Sequence, residues 1–196
     1  YESFGRVGDI RKLRHYFETP TTIISYFLAG ITGCIILGLP FLIKYVLPKY
    51  EPGIMAANIL LLGIFFVSLL GMSNYLLIAM NKQKQMILLS TLGICLASFF
   101  NYFFIVRLRW QIEGAASAML ITYFIYSTVY IWYAFRHHTK NLNQFLIFII
   151  KIYLPFLWLV SILYIINSFL AHRSSTVAAD LLNLFLRLFL FIVAYI

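Results

Sequence analysis

The stretch that decides the fold reads MILLSTLGICLASFFNYFFIV (86–106), RLRWQIE (107–113), GAASAMLITYFIY (114–126). Two apolar segments flank one short polar link. In the first, Gly93, Ala97 and Asn101 recur every four residues; in the second, Gly114, Ala118, Thr122 and Tyr126 do the same. Residues four apart share a helix face. Each segment is therefore predicted to be a helix with a strip of small or hydrogen-bonding side chains on one side and Leu, Ile, Met and Phe over the rest. Water would drive such a surface to aggregate. Lipid tails solvate it, and the small strip lets two backbones approach closely where van der Waals contact has to drive association. The expectation is a packed pair of membrane helices at the centre of the chain.

Composition points the same way. Of the 196 residues 63% are hydrophobic and 11% charged, where a soluble domain carries roughly a quarter charged. The formal net charge of +9 could suggest nucleic acid as a partner. Here, however, Lys and Arg stand in short links between apolar runs, where topology signals stand, and form no single patch. Cys34 and Cys95 lie inside apolar runs without paired spacing and read as small packing residues, with no disulfide or metal framework.

Outward from the central pair, further runs are long enough to cross a hydrocarbon layer that needs about 20 residues. They cover 21–47, 54–80, 86–106, 113–135, 145–171 and 177–196. The predicted fold class is an all-α integral membrane protein with six transmembrane helices. Gly30, Cys34 and Gly38 make a small strip in the first run, and Gly63, Val67 and Gly71 in the second. Pro40 is expected to kink its helix, and Lys44 to snorkel outward. Pro48, Glu51, Pro52 and Gly53 mark a turn, and Asn81 to Gln85 a tight polar link. Before the first run, Ile10, Leu13 and Phe17 fall on one face of a short helix opened by Gly8 and Asp9. Arg11, Lys12, Arg14 and His15 point elsewhere, which suits a segment lying in the membrane interface or an ordinary cytoplasmic link. The chain opens at Tyr1 without methionine or a cleavable signal pattern, so the later part of something longer is expected.

Six spans put both ends on one side. Arg6, Arg11, Lys12, Arg14, Lys82, Lys84, Arg136 and Lys140 fall on the amino-end side; Lys44, Lys49, Arg107, Arg109 and Arg173 fall on the other. Positive charge prefers the cytoplasm, which predicts the amino end inside a bacterial inner or plasma membrane. Trp110, Trp132 and Tyr133 near span ends read as an interfacial belt. His15, His137, His138 and His172 all stand in links without metal-ligand spacing, so no metal and no cofactor is expected.

Leu47-Pro48-Lys49-Tyr50-Glu51-Pro52-Gly53 with the helix through Leu60-Leu61-Leu62-Gly63, then Asn81-Lys82-Gln83-Lys84, Asn101 and Gly114-Ala115-Ala116-Ser117-Ala118, resembles the second half of polysaccharide exporters. These belong to the multidrug, oligosaccharidyl-lipid and polysaccharide flippase superfamily, which includes O-antigen flippases. The likeness runs over roughly residues 5–135 by order and spacing. Gln111 and Glu113 depart from it by bringing polarity just before Gly114. The resemblance implies one bundle of a two-bundle transporter, here its ninth to fourteenth helices, with the amino-terminal half or a second copy as partner. It divides the chain into an interfacial segment (1–20), four helices of the second bundle (21–135) and two further transmembrane helices (136–196). It implies that a polyprenyl-pyrophosphate-linked oligosaccharide is flipped across the membrane for surface polysaccharide synthesis, with no covalent chemistry. A polar cavity must then replace the water of sugar and phosphate.

Polar side chains inside the spans are the transport-path candidates, because they are costly to keep there. Asp180, Asn183 and Arg187 make a strip at spacings of three and four in the last run. Arg187 would meet pyrophosphate or pair with a carboxylate, the competing reading being a side chain that snorkels to the interface. Lys151 stands six residues into its run and can also snorkel. Asn101 can line the path or hold helices together.

Three other functions are weighed against it. A cation-coupled multidrug antiporter of the same superfamily needs membrane carboxylates, and the runs up to residue 135 offer only Glu113 at a boundary. A noncatalytic membrane interaction protein would simply assemble with a partner. A membrane glycosyltransferase would need acidic or histidine constellations on sizeable loops, and every link here is short.

Overall fold

The computed structural model describes residues 10–136, 141–169 and 177–195. Among them the chain is helical, with turns between: α1 (Ile10–Val46), a 3-10 turn (Pro48–Gly53), α2 (Ile54–Ser68), α3 (Leu70–Ala79), α4 (Gln83–Asn101), α5 (Gln111–Arg136), α6 (Leu142–Phe169) and α7 (Val177–Tyr195). Five stretches are long and apolar enough to cross a membrane: Phe17–Val46, Pro48–Ile78, Gln83–Arg107, Gln111–Arg136 and Leu142–Ile166. The chain is a helical, multi-pass membrane protein. The sixth expected run is present as the helix α7. Gly8, Asp9, His137, His138, Lys140, His172 and Arg173 lie outside the described residues.

Local chemistry explains the breaks. Pro48 opens the 3-10 turn and Pro52 with Gly53 closes it, since proline lacks the donor that a continuing α-helix needs. Asn81 takes φ 56°, a left-handed conformation that asparagine tolerates. There Lys82 N–H donates to Leu77 O at 2.9 Å and Asn81 N–H to Ile78 O at 3.0 Å, the paired bonds of a Schellman helix end. Proline does not interrupt α1, which runs through Pro20 and Pro40. The described part of the amino segment, from Ile10, is thus continuous with the first span. Around Pro20, Thr21 and Thr22 hydroxyls donate to Phe17 O at 2.6 Å and Glu18 O at 2.8 Å, the back-bonds to the preceding turn that threonine makes within a helix. The second run is divided at Leu69 into α2 and α3, between Ser68 and Gly71.

The expected pair α4 and α5 does pack together. Gly93 faces the Tyr126 ring, where an added Cβ would lie 3.0 Å away, and Gly114, Ala118 and Thr122 are buried. Only α5 is at the centre, and α4 is not. Leu89 is the one buried side chain of α4 among its described residues, and Ile87, Leu88 and Ile94 face outward. The main core lies instead between α1, α2, α3, α5, α6 and α7, from Phe17, Phe65, Phe66, Leu69, Ile131, Phe135, Phe148, Ile152 and Phe191. Phe65 stacks on Phe156 at 5.1 Å and Phe135 on Phe148 at 5.4 Å, adding directional contact to dispersion.

Of the glycines in the predicted strips, Gly63 meets Leu120 and Tyr123 of α5 and Gly30 meets Tyr195, whereas Gly38 and Gly71 have no heavy atom within 4 Å of an added Cβ among the described residues. Alanine at either open position is expected to leave the thermal midpoint unchanged or raise it slightly, because it gains up to about 1 kcal/mol of helix propensity without a clash. A drop at Gly38→Ala or Gly71→Ala in detergent melts would show a neighbour pressed against that face.

Candidate functional site: polar side chains inside the helices

The polar groups of α7 are set by how it docks on α1. The two run antiparallel: Asp180 meets Lys44 and Tyr45, Phe191 sits over Gly33, and Tyr195 lies against Gly30. The Tyr195 hydroxyl donates to Tyr26 O at 2.5 Å. That register sets Arg187 level with Leu37 of α1. It places Arg187 about 14 Å, nine residues at 1.5 Å each, from the end of the span at Val46, level with the carboxyl-terminal half of α1.

Asp180 and Arg187 therefore do different things. Asp180 belongs to the first turn of α7, where the helix dipole favours a carboxylate. Lys44 Nζ donates to its Oδ2, and Tyr45 OH donates to the same oxygen at 2.6 Å. Lys44 is thus engaged across helices and does not simply snorkel. Its side chain is 53% exposed against 17% for Asp180, so the pair is half in water and acts mainly as a positional tie. Arg187 donates from Nε to Asn183 Oδ1 at 3.3 Å, one turn earlier. Both are half-buried, on the same side of α7 as Phe191.

The other two candidates stand apart from this pair. Asn101 donates from Nδ2 to Ala97 O at 2.8 Å, a bond to its own helix that ties no neighbour. Lys151 is exposed and lies nine residues into α6, since that helix begins at Leu142, three residues before the predicted run. One heptad on, Trp158 shares its face, and the indole Nε1 donates to Ala194 O of α7 at 3.3 Å. Lys151 therefore lies beyond the described carboxyl end of α7.

Two polar contacts were not legible as sites. Tyr130, buried in α5, donates to Asn74 Oδ1 of α3, and Tyr153 of α6 shares hydrogen bonds with Ser127 at 3.2 Å and Thr128 at 2.8 Å. Each joins residues far apart in sequence, so no spacing announces it; the adjacent hydroxyls of Ser127 and Thr128 were the only local sign. Buried polar atoms without a hydrogen-bond partner among the described residues are Asn58 Oδ1, Ser73 Oγ and Gln85 Oε1. No cluster of three or more metal-ligating side chains occurs among the described residues. No protein-family model, curated protein or solved structure matches the chain.

Proposed function

We propose that the chain is one bundle of a flippase that carries a polyprenyl-pyrophosphate-linked oligosaccharide across the cytoplasmic membrane, with α7 as its sixth span and the amino end inside. The observation that carries this reading is Arg187. A guanidinium in an apolar helix is costly in lipid and marks an ion or substrate path by default. This one lies half-buried on the side of α7 that packs on α1, oriented by Asn183. A planar, permanently charged fork suits a phosphate group. The antiporter reading is weaker, because Asp180 is tied at the helix end by Lys44 and Tyr45 and Glu113 is exposed at the start of α5.

Arg187→Ala is expected to lower flipping of a pyrophosphate-linked sugar lipid in proteoliposomes by about tenfold to a hundredfold, the effect of losing one charge-assisted contact, with Arg187→Lys intermediate. Both variants should match the parent in thermal midpoint. Unchanged flipping by correctly folded Arg187→Ala would remove the assignment.

A further inference from the structure

Charge is unevenly divided between the two ends of the bundle. Phe17 of α1 meets Phe148 of α6, Phe148 stacks on Phe135 of α5, and Met86 of α4 shares a cluster with Tyr133 of α5. These contacts bring the start of α1, the link from α3 to α4 and the end of α5 to one end. Among the described residues that end carries Arg11, Lys12, Arg14, Lys82, Lys84 and Arg136 against a single acid, Glu18. The opposite end carries four cations against three acids. There Lys44 is paired with Asp180, Glu51 stands two residues after Lys49, and Glu113 follows Arg107 and Arg109 in one link. One end is nearly neutral, and the other is strongly positive.

The six cations also share a depth. Helix α1 runs from Ile10 into its span without a break, so Arg14 and Arg11 stand about 5 and 9 Å before Phe17, where the span begins. Lys82 precedes the next span on this end by one residue, Lys84 is the second residue of that span, and Arg136 is the last residue of its own. The headgroup layer is about 5 to 8 Å deep on each side of the hydrocarbon. All six positions thus fall in that layer or at its edge. The Arg136 guanidinium stands over the Trp132 ring at 5.5 Å, an indole at the depth of the interfacial belt. The link from α3 to α4 is short and offers no loop that reaches past the headgroups to a protein in water.

We infer that this end of the bundle is a docking surface for anionic phospholipid headgroups, and that the nearly neutral end is not. Charge complementarity selects the occupant: a layer of one sign at phosphate depth matches a leaflet whose anionic lipids attract juxtamembrane cations. It is also the end that the proposed topology turns to the cytoplasm. Helix α1 is a straight post that carries three of the charges through the headgroup layer. The inference stands without the flippase reading.

Spin-labelled phosphatidylglycerol and phosphatidylcholine, compared in phosphatidylcholine vesicles that contain the protein, measure it. The protein-associated fraction is expected to favour phosphatidylglycerol about fivefold at low salt, the gain from one cation near the headgroup. Most of that preference should vanish at about 1 M salt, where charges are screened within about 3 Å. Lys82→Gln, Lys84→Gln and Arg136→Gln together should reduce it to about twofold or less. Lys49→Gln, Arg107→Gln and Arg109→Gln together remove as much charge from the other end and should leave it unchanged. The charge-conserving set Lys82→Arg, Lys84→Arg and Arg136→Lys should keep it, which separates charge from misfolding. No preference for phosphatidylglycerol in the parent would overturn the inference, and so would equal losses from the two glutamine sets, which would assign the effect to net charge alone. Displacement of the labelled lipid by inorganic phosphate at matched ionic strength would make this a soluble-anion site. Displacement by polyglutamate under the same conditions would make it a surface for an acidic protein, and either result overturns the lipid assignment.

Discussion

Gly63→Leu is expected to part α2 from α5 and to be among the most damaging single substitutions in the bundle. Even a Cβ at this position would lie 3.1 Å from the Tyr123 ring and 3.4 Å from Leu120 Cα. The second obstacle is backbone, which no rotamer change can clear. Around it, Phe65 and Phe66 are buried and locked by rings on both sides: Phe66 meets Phe124 at 5.2 Å and Tyr153 at 5.4 Å. A leucine must therefore push two helices apart over a turn or more. The cost should reach about 3 kcal/mol, the upper range for overpacking. Thermal melts and gel filtration in detergent measure it. A midpoint within a few degrees of the parent would mean that α2 and α5 do not approach as closely as Gly63 implies.

The second large effect concerns the seat of α7. A Cβ on Gly33 would overlap the Phe191 ring, which is 1% exposed and stacked on Tyr195 at 5.5 Å. The ring has no free space to turn into. Gly33→Leu should destabilise by about 2 to 3 kcal/mol through overpacking, and Phe191→Ala by about 3 kcal/mol through a cavity. Combined, they should cost less than their sum by about 1 kcal/mol or more, as touching residues do in double-mutant cycles. Additive losses would separate α7 from Gly33. Arg187 is positioned by the same docking, so the flippase proposal adds a second readout: flipping should fall in Gly33→Leu and partly return in the double variant.

These two glycines show what could be read in advance. Gly63 stood out because Val67 and Gly71 follow it at fourfold spacing, and the strip does meet α5 at its first member. Gly33 belongs to no such strip. Its role depends on Phe191, nearly 160 residues later, and nothing local encodes that meeting. The strip of Gly30, Cys34 and Gly38 was visible, yet contact is made at Gly30 and at Gly33, while Gly38 stands open. Periodicity gives a face; register with a distant helix decides which residues of the face are used. Segment ends were legible where proline, glycine or asparagine acts on its own backbone, as at Pro48, Gly53 and Asn81. The central pair was legible as a pair, but the peripheral place of α4 was not, because its large side chains look the same facing lipid as facing protein. Among the candidate site residues, the spacing of Asn183 and Arg187 put both on one face of α7, where they hydrogen-bond. It could not show that Asp180 would be claimed by Lys44 and Tyr45 from another helix.

The pairing of α2 with α5 and of α1 with α6 has a consequence for how the molecule is made. Helices enter the membrane in order of synthesis, yet α2 packs along a helix emerging two segments later, and Phe17 of α1 meets Phe148 only after more than half the chain has followed. The face of α1 that carries Phe17 must wait for α6. A nascent chain halted after α5 would hold the α2 and α5 contact but leave the Phe17 and Ala29 side of α1 bare in the bilayer.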